Sequence, residues 1–104
     1  MAGGIKHDAE KLKLELLPYD ALLEVAKVYN HGAAKYGNRN WEAGMEWSRF
    51  FAAAMRHLWA WFTGENKDPE SGLSHLVHAA FCILALVAYE LRGAGTDDRP
   101  IISQ

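Results

Sequence analysis

His57, Asp68, Glu70, His75 and His78 are the side chains of this sequence that could hold a metal ion or move a proton. At about 100° per residue, His75 and His78 share one helical face, and Cys82 joins it at i+7 from His75. An i, i+3 pair of imidazoles can hold one ion. If the helix carrying His57 runs antiparallel to the helix carrying this pair, across the connector at 65–72, His57 faces its first turns. Imidazoles with one or two carboxylates then converge, a donor set that suits Mn or another transition metal better than an all-oxygen Mg site. The same spacing also suits a hydrogen-bonded histidine cluster that only ties helix ends together.

A second constellation is Lys35-Tyr36-Gly37-Asn38-Arg39-Asn40-Trp41. Phosphates need cationic or N–H donors, and a nucleobase needs a π-face to stack on and an amide to read its edge. These residues supply all of them, and Arg49 and Arg56, seven positions apart, could add phosphate contacts. A solvated turn with Trp41 packed as a lid on the core would use the same residues. Glu24 and Lys27 read as a surface i, i+3 pair. Cys82, within an apolar run, reads as a small core residue. There is no P-loop glycine pattern, no G-x-S-x-G and no H-E-x-x-H.

The elements that must position these residues are helices. Sustained period-2 alternation is missing, so the expected fold is all-α, a bundle of three main helices. Helix one is expected from Asp20, as N-cap, through Leu22, Leu23, Val25, Ala26, Tyr29, Ala33 and Tyr36 to Gly37. The Gly and Asn residues of the following loop suit left-handed turn positions. Helix two spans about 46–62, with a broad apolar face that includes Trp47, Phe50, Phe51, Ala54, Met55, Leu58, Trp61 and Phe62. Asp68 before Pro69 has the form of an N-cap with proline at the first helical position, so helix three is expected from Pro69 or Leu73 to Leu91 or Arg92, stopped by Gly93. Its centre, 77–89, is apolar nearly all round. Such a helix needs its own chain on one face and another chain on the opposite face, which predicts a homodimer or homotetramer. Residues 1–18 read as an arm, 19–93 as the domain and 94–104 as a tail.

At 104 residues and 11.6 kDa the chain is sized for one domain, and 50% hydrophobic content is enough for a core. A net charge of −2 and the lack of a basic block argue against a nucleic acid polymer as partner. One cysteine rules out an internal disulfide and fits a reducing interior. The first residues carry no apolar signal region, and the longest apolar run, 76–88, is too short to span a bilayer. The expectation is a cytoplasmic protein without membrane partners.

The run Gly32-Ala33-Ala34-Lys35-Tyr36-Gly37-Asn38-Arg39-Asn40-Trp41, then Ala54-Met55-Arg56-His57-Leu58, Gly64-Glu65 and Asp68-Pro69-Glu70-Ser71-Gly72-Leu73-Ser74-His75-Leu76-Val77-His78-Ala79, resembles the small phage and prophage dATP/dGTP diphosphohydrolases. The lead-in at 11–18 resembles that family's opening, and the likeness covers roughly residues 6–92. It implies an all-α nucleotide pyrophosphohydrolase related to the MazG type, a phage or prophage protein in a bacterial host. The implied reaction releases pyrophosphate from dGTP or dATP with a divalent metal, Mg or Mn. MazG-type enzymes hold Mg on E-x-x-E and E-x-x-D helices, yet helix two here has no acid between Trp47 and Gly64 and helix three offers His75-x-x-His78. On this likeness, His57, His75 and His78 with Asp68 or Glu70 hold the metal, and His57, Asp68 and Glu70 carry the chemistry. Lys35, Arg39 and Arg56 balance the polyphosphate, and Tyr36, Asn38, Asn40 and Trp41 hold the base. The missing carboxylates leave a second reading, a helical module that binds or sequesters a nucleotide without cutting it.

Overall fold

In the computed structural model, which describes Gly4 and residues 11–101, three long helices carry the chain: α1 Tyr19–Tyr36, α2 Trp47–Phe62 and α3 His75–Arg92. Single 3-10 turns stand at Leu14–Leu16 and Asn40–Ala43. Among the described residues there is no strand, only isolated bridges pairing Glu46 with Thr96 and Lys67 with Ser74. The fold is all-α, as the periodicity predicts. The rest of the arm, 1–3 and 5–10, and the last residues of the tail, 102–104, lie outside the described residues.

Two helix starts differ from expectation. α1 begins at Tyr19, directly after Pro18 in an extended conformation, so Asp20 lies inside the first turn, where its carboxylate accepts the Ala21 amide at 2.8 Å. It favours the helix through the dipole rather than as its cap. α3 begins at His75, capped by Ser74, whose hydroxyl accepts the Leu76 amide at 3.1 Å. Asp68 starts no helix, because its carboxylate accepts the amides of Glu70 at 3.1 Å and Ser71 at 2.9 Å and closes a turn within the connector. In the earlier loop the left-handed non-glycine position falls to Arg39 (φ 60°), not to either asparagine.

Phe50 packs edge-on against Tyr89 while His57 meets His75, so early α2 faces late α3 and the two helices run antiparallel. Ala54 and Ala85, small and buried, sit with Cys82 in the core between them. Trp41, Met45, Trp47 and Phe81 surround this core, and the Tyr89 hydroxyl donates to the Trp41 carbonyl. α1 packs on α3 as well. α3 is 18 residues long, longer than the apolar run alone, and by length and composition it passes as long and apolar enough to cross a membrane. Both other helices pack against it, burying Ala79, Cys82, Ala85 and Tyr89, while Ile83, Leu84, Val87 and Leu91 stay exposed.

Candidate functional site

Antiparallel packing brings the end of α2 to the start of α3. His57 Nδ1 lies 2.9 Å from His75 Nδ1, and the His57 ring stacks on His78 with centroids 4.6 Å apart and planes 10° apart. His75 is buried, while His57 and His78 are half-buried. The connector folds back over this end, with the His75 amide donating to the Asn66 carbonyl at 2.9 Å. One ligand atom each from His57, Asp68 and His75 lies within 4.8 Å of the others. His78 stands beside this group, its Nε2 2.6 Å from the Ser71 hydroxyl. Glu70 is not brought into it, since its carboxylate holds the Lys35 ammonium.

Burial pushes His57 down from the ordinary histidine value, and the neighbouring His78 and His75 add to this. Burial does the same to His78, against the opposing pull of Asp68. Burial pushes the Asp68 carboxyl up, but the Ser71 amide and the nearby His78 and His57 outweigh it and leave the group below its usual range. The end of the bundle thus holds neutral imidazoles beside an ionised carboxylate at neutral pH. Cys82 is no nucleophile here, because burial pushes its thiol up to about 11.

These groups open onto a cavity of about 940 Å³ between α1, the following loop, α2 and α3. Small-molecule sites occupy roughly 300–1,000 Å³. Lys35, Tyr36, Asn38, Arg39, Asn40, Trp41 and Arg56 all line it, together with His57, Asp68, Glu70 and His78, and His75 lies behind the wall. Several of its cations are already engaged: Lys35 by Glu70, Arg39 by Glu42 at 3.0 Å and Arg49 by Glu46 at 3.9 Å. Among the described residues no carboxylate holds Arg56. Trp41 is packed rather than free, stacked with Tyr89 at 6.3 Å and covered by Arg92 at 5.3 Å. Tyr36 is the exposed aromatic face, with the Lys35 ammonium 5.2 Å from its ring.

A sequence model of the family described as dATP/dGTP diphosphohydrolase, N-terminal, matches residues 1–99. The chain belongs to this family. A curated relative, the dATP/dGTP diphosphohydrolase of Salmonella phage PMBT28, is 34% identical over 96 residues. The match covers 92% of this chain and 33% of the relative, so the chain spans about a third of the length of the curated relative it matches. No solved structure matches.

Within this member of the dATP/dGTP diphosphohydrolase family the cavity also takes in Asn30 and His31, which the sequence reading passed over. His31 meets His78 edge-on at 6.4 Å. Its signal was present, since His31 stands four residues before Lys35 and so on the same face of α1. Glu65 was also passed over as a site residue. Its Oε1 lies 2.6 Å from His75 Nε2. Nothing in the spacing marks it, because the contact depends on how the connector folds back.

Proposed function

We propose that this chain hydrolyses a purine deoxynucleoside triphosphate, dGTP or dATP, to the monophosphate and pyrophosphate. The observation that carries this reading is the single cavity in which unheld Arg56 and exposed Tyr36 face His57 and Asp68, in a chain whose curated relative is named for that substrate class. Tyr36 offers the stacking face, and Asn38 and Asn40 offer amides for the edge of the base. Arg56 meets the polyphosphate directly, whereas Lys35 reaches it by exchanging Glu70 for phosphate. Glu70 therefore sets the charge at the mouth of the site.

His57, Asp68 and His75, with His78 beside them, are the residues that would hold a divalent cation. Their chemistry fits one, since two imidazoles, His57 held neutral by burial, and an ionised carboxylate are a mixed nitrogen and oxygen donor set. Bound there, Mn or Mg would polarise the α-phosphoryl oxygen and lower the pKa of water. In the reaction, a water oxygen bonds to the α-phosphorus and the bond to the β-phosphate bridging oxygen breaks. The Asp68 oxygen that does not hold the cation would take up the water's proton, and His57 would take part in the chemistry as a ligand. We include in the proposal that the working form is a homodimer or homotetramer.

Incubating the protein with dGTP or dATP and Mn or Mg, and measuring pyrophosphate, tests the reading. Pyrophosphate release that is lost in His57→Ala supports it. Nucleotide binding without pyrophosphate, or release of free phosphate instead, overturns it.

A further inference from the structure

The contact between Glu65 and His75 determines more than the position of a loop. A carboxylate only accepts hydrogen bonds, so at 2.6 Å from Glu65 Oε1 the His75 Nε2 must carry a proton. A neutral ring protonated at Nε2 has its lone pair at Nδ1. That atom faces His57 Nδ1 at 2.9 Å, and ligand atoms of His57, Asp68 and His75 lie within 4.8 Å of one another. His75 is buried, and in this orientation both of its ring nitrogens are engaged. Backbone bonds fix the rest: the His75 amide donates to Asn66 at 2.9 Å, and the Glu65 amide donates to Ala60 at 3.0 Å, continuing the end of α2.

We infer that Glu65 is a positioning residue that locks His75 in the Nε2–H tautomer and so makes Nδ1 the atom His75 offers to a divalent cation. This rests on the metal reading given above and extends it to a residue outside the three that would touch the ion. A carboxylate behind a ligating imidazole fixes the ring's tautomer and orientation and raises its basicity. Glu65 is half-exposed and lies outside the core, so its removal is expected to leave the helices intact.

The test reads the tautomer without any metal. In ¹⁵N-labelled protein near pH 7.5, the long-range ¹H–¹⁵N correlations of the His75 ring are expected to show Nε2–H. In Glu65→Ala they are expected to show a mixture or the Nδ1–H form, with an unchanged far-ultraviolet circular dichroism spectrum. Calorimetric titration with Mn alone is expected to show affinity about 10- to 100-fold weaker for Glu65→Ala than for the parent protein. An imidazolium or an Nδ1–H ring in the parent protein overturns the inference, as does a tautomer that Glu65→Ala leaves unchanged. If the tautomer shifts as expected but the parent protein binds no Mn, the metal reading itself fails, and the assignment of Nδ1 as a ligand fails with it. The two failures are therefore distinct.

Discussion

His57 is pressed between the ring of His78 and the Nδ1 of His75, and its neutral form is the one this site stabilises. The consequence for pH follows from proton binding in the two states. Burial holds His57 and His78 below the ordinary value of 6.5 in the folded chain, so between the folded value and 6.5 the unfolded chain binds more protons. Stability is then at its plateau above about pH 6.5 and declines as the pH falls through that window. Thermal unfolding from pH 7.5 to 5 should show a falling Tm, with a smaller fall in the His57→Asn, His78→Asn double variant; a flat profile would count against buried neutral rings. Asp68 acts in a separate, lower window, adding stability above its unfolded value of 3.8 that is lost as the pH falls through its lower folded one. Arg56 gives a second test at this scale. A charge-assisted hydrogen bond to phosphate is worth roughly 1.5–3 kcal/mol, so Arg56→Ala should lower kcat/KM for pyrophosphate release by about 10- to 100-fold. Loss of the same size from Arg92→Ala, whose guanidinium covers Trp41, would point to a general charge effect instead.

Among the elements, the start of α2 is held by residues far along the chain. Its N-cap, Glu46, makes no side-chain capping bond. Asp98 does the capping, accepting the Ser48 amide at 2.8 Å and the Ser48 hydroxyl, while the Trp47 amide donates to Thr96 at 2.9 Å and the Trp47 indole to Ala94 at 3.0 Å. Gly95 permits the crossing: it sits at φ +72°, and a Cβ there would meet the Met45 carbonyl oxygen at 2.5 Å. Removing a cap costs about 1 kcal/mol, so Asp98→Ala should lower urea-unfolding stability by that amount. Gly95→Ala should cost more, because the left-handed backbone alone costs roughly 1–2 kcal/mol for a residue with a Cβ and the clash adds to it. Equal losses, or none for Gly95→Ala, would show the crossing to be loose. This pattern also explains what could be read from the sequence. The three helices were legible because their apolar periods are long, and the cavity residues of the loop and of α2 because their chemistry is unusual at that spacing. The start of α3 was not, since both Asp68-Pro69 and Ser74 have the local form of a cap and only the folded connector chooses between them. The crossing at 94–98 and the Glu65 contact carry no period at all, and their partners are set by tertiary packing.

For the whole molecule the argument concerns what covers the outside of the bundle. Phe51, Met55, Trp59 and Phe62 recur at successive turns of α2, facing away from buried Phe50 and Ala54, and all four are exposed. Trp59 is 67% exposed and Phe62 78%, values out of keeping with large apolar side chains in a finished core. Ile83, Leu84, Val87 and Leu91 leave α3 in the same condition. Contiguous apolar faces of this kind mark association surfaces, and a second copy of the chain brings a matching stripe of its own. Met55, Trp59 and Ala60 form an apolar notch that Arg56 also lines, and Arg56 reaches the 940 Å³ cavity from the same position. Covering the notch should therefore fix Arg56, which among the described residues no carboxylate holds. Sedimentation across a concentration series should give a dimer or tetramer, and Trp59→Glu with Phe62→Glu should shift it to monomer while keeping the helical circular dichroism signal. If assembly sets Arg56, that monomer should also bind dGTP more weakly, by an amount that Arg56→Ala does not increase further. A parent protein that sediments as a monomer at every concentration would refute the assembly, and a monomeric variant with full nucleotide affinity would separate the interface from the site.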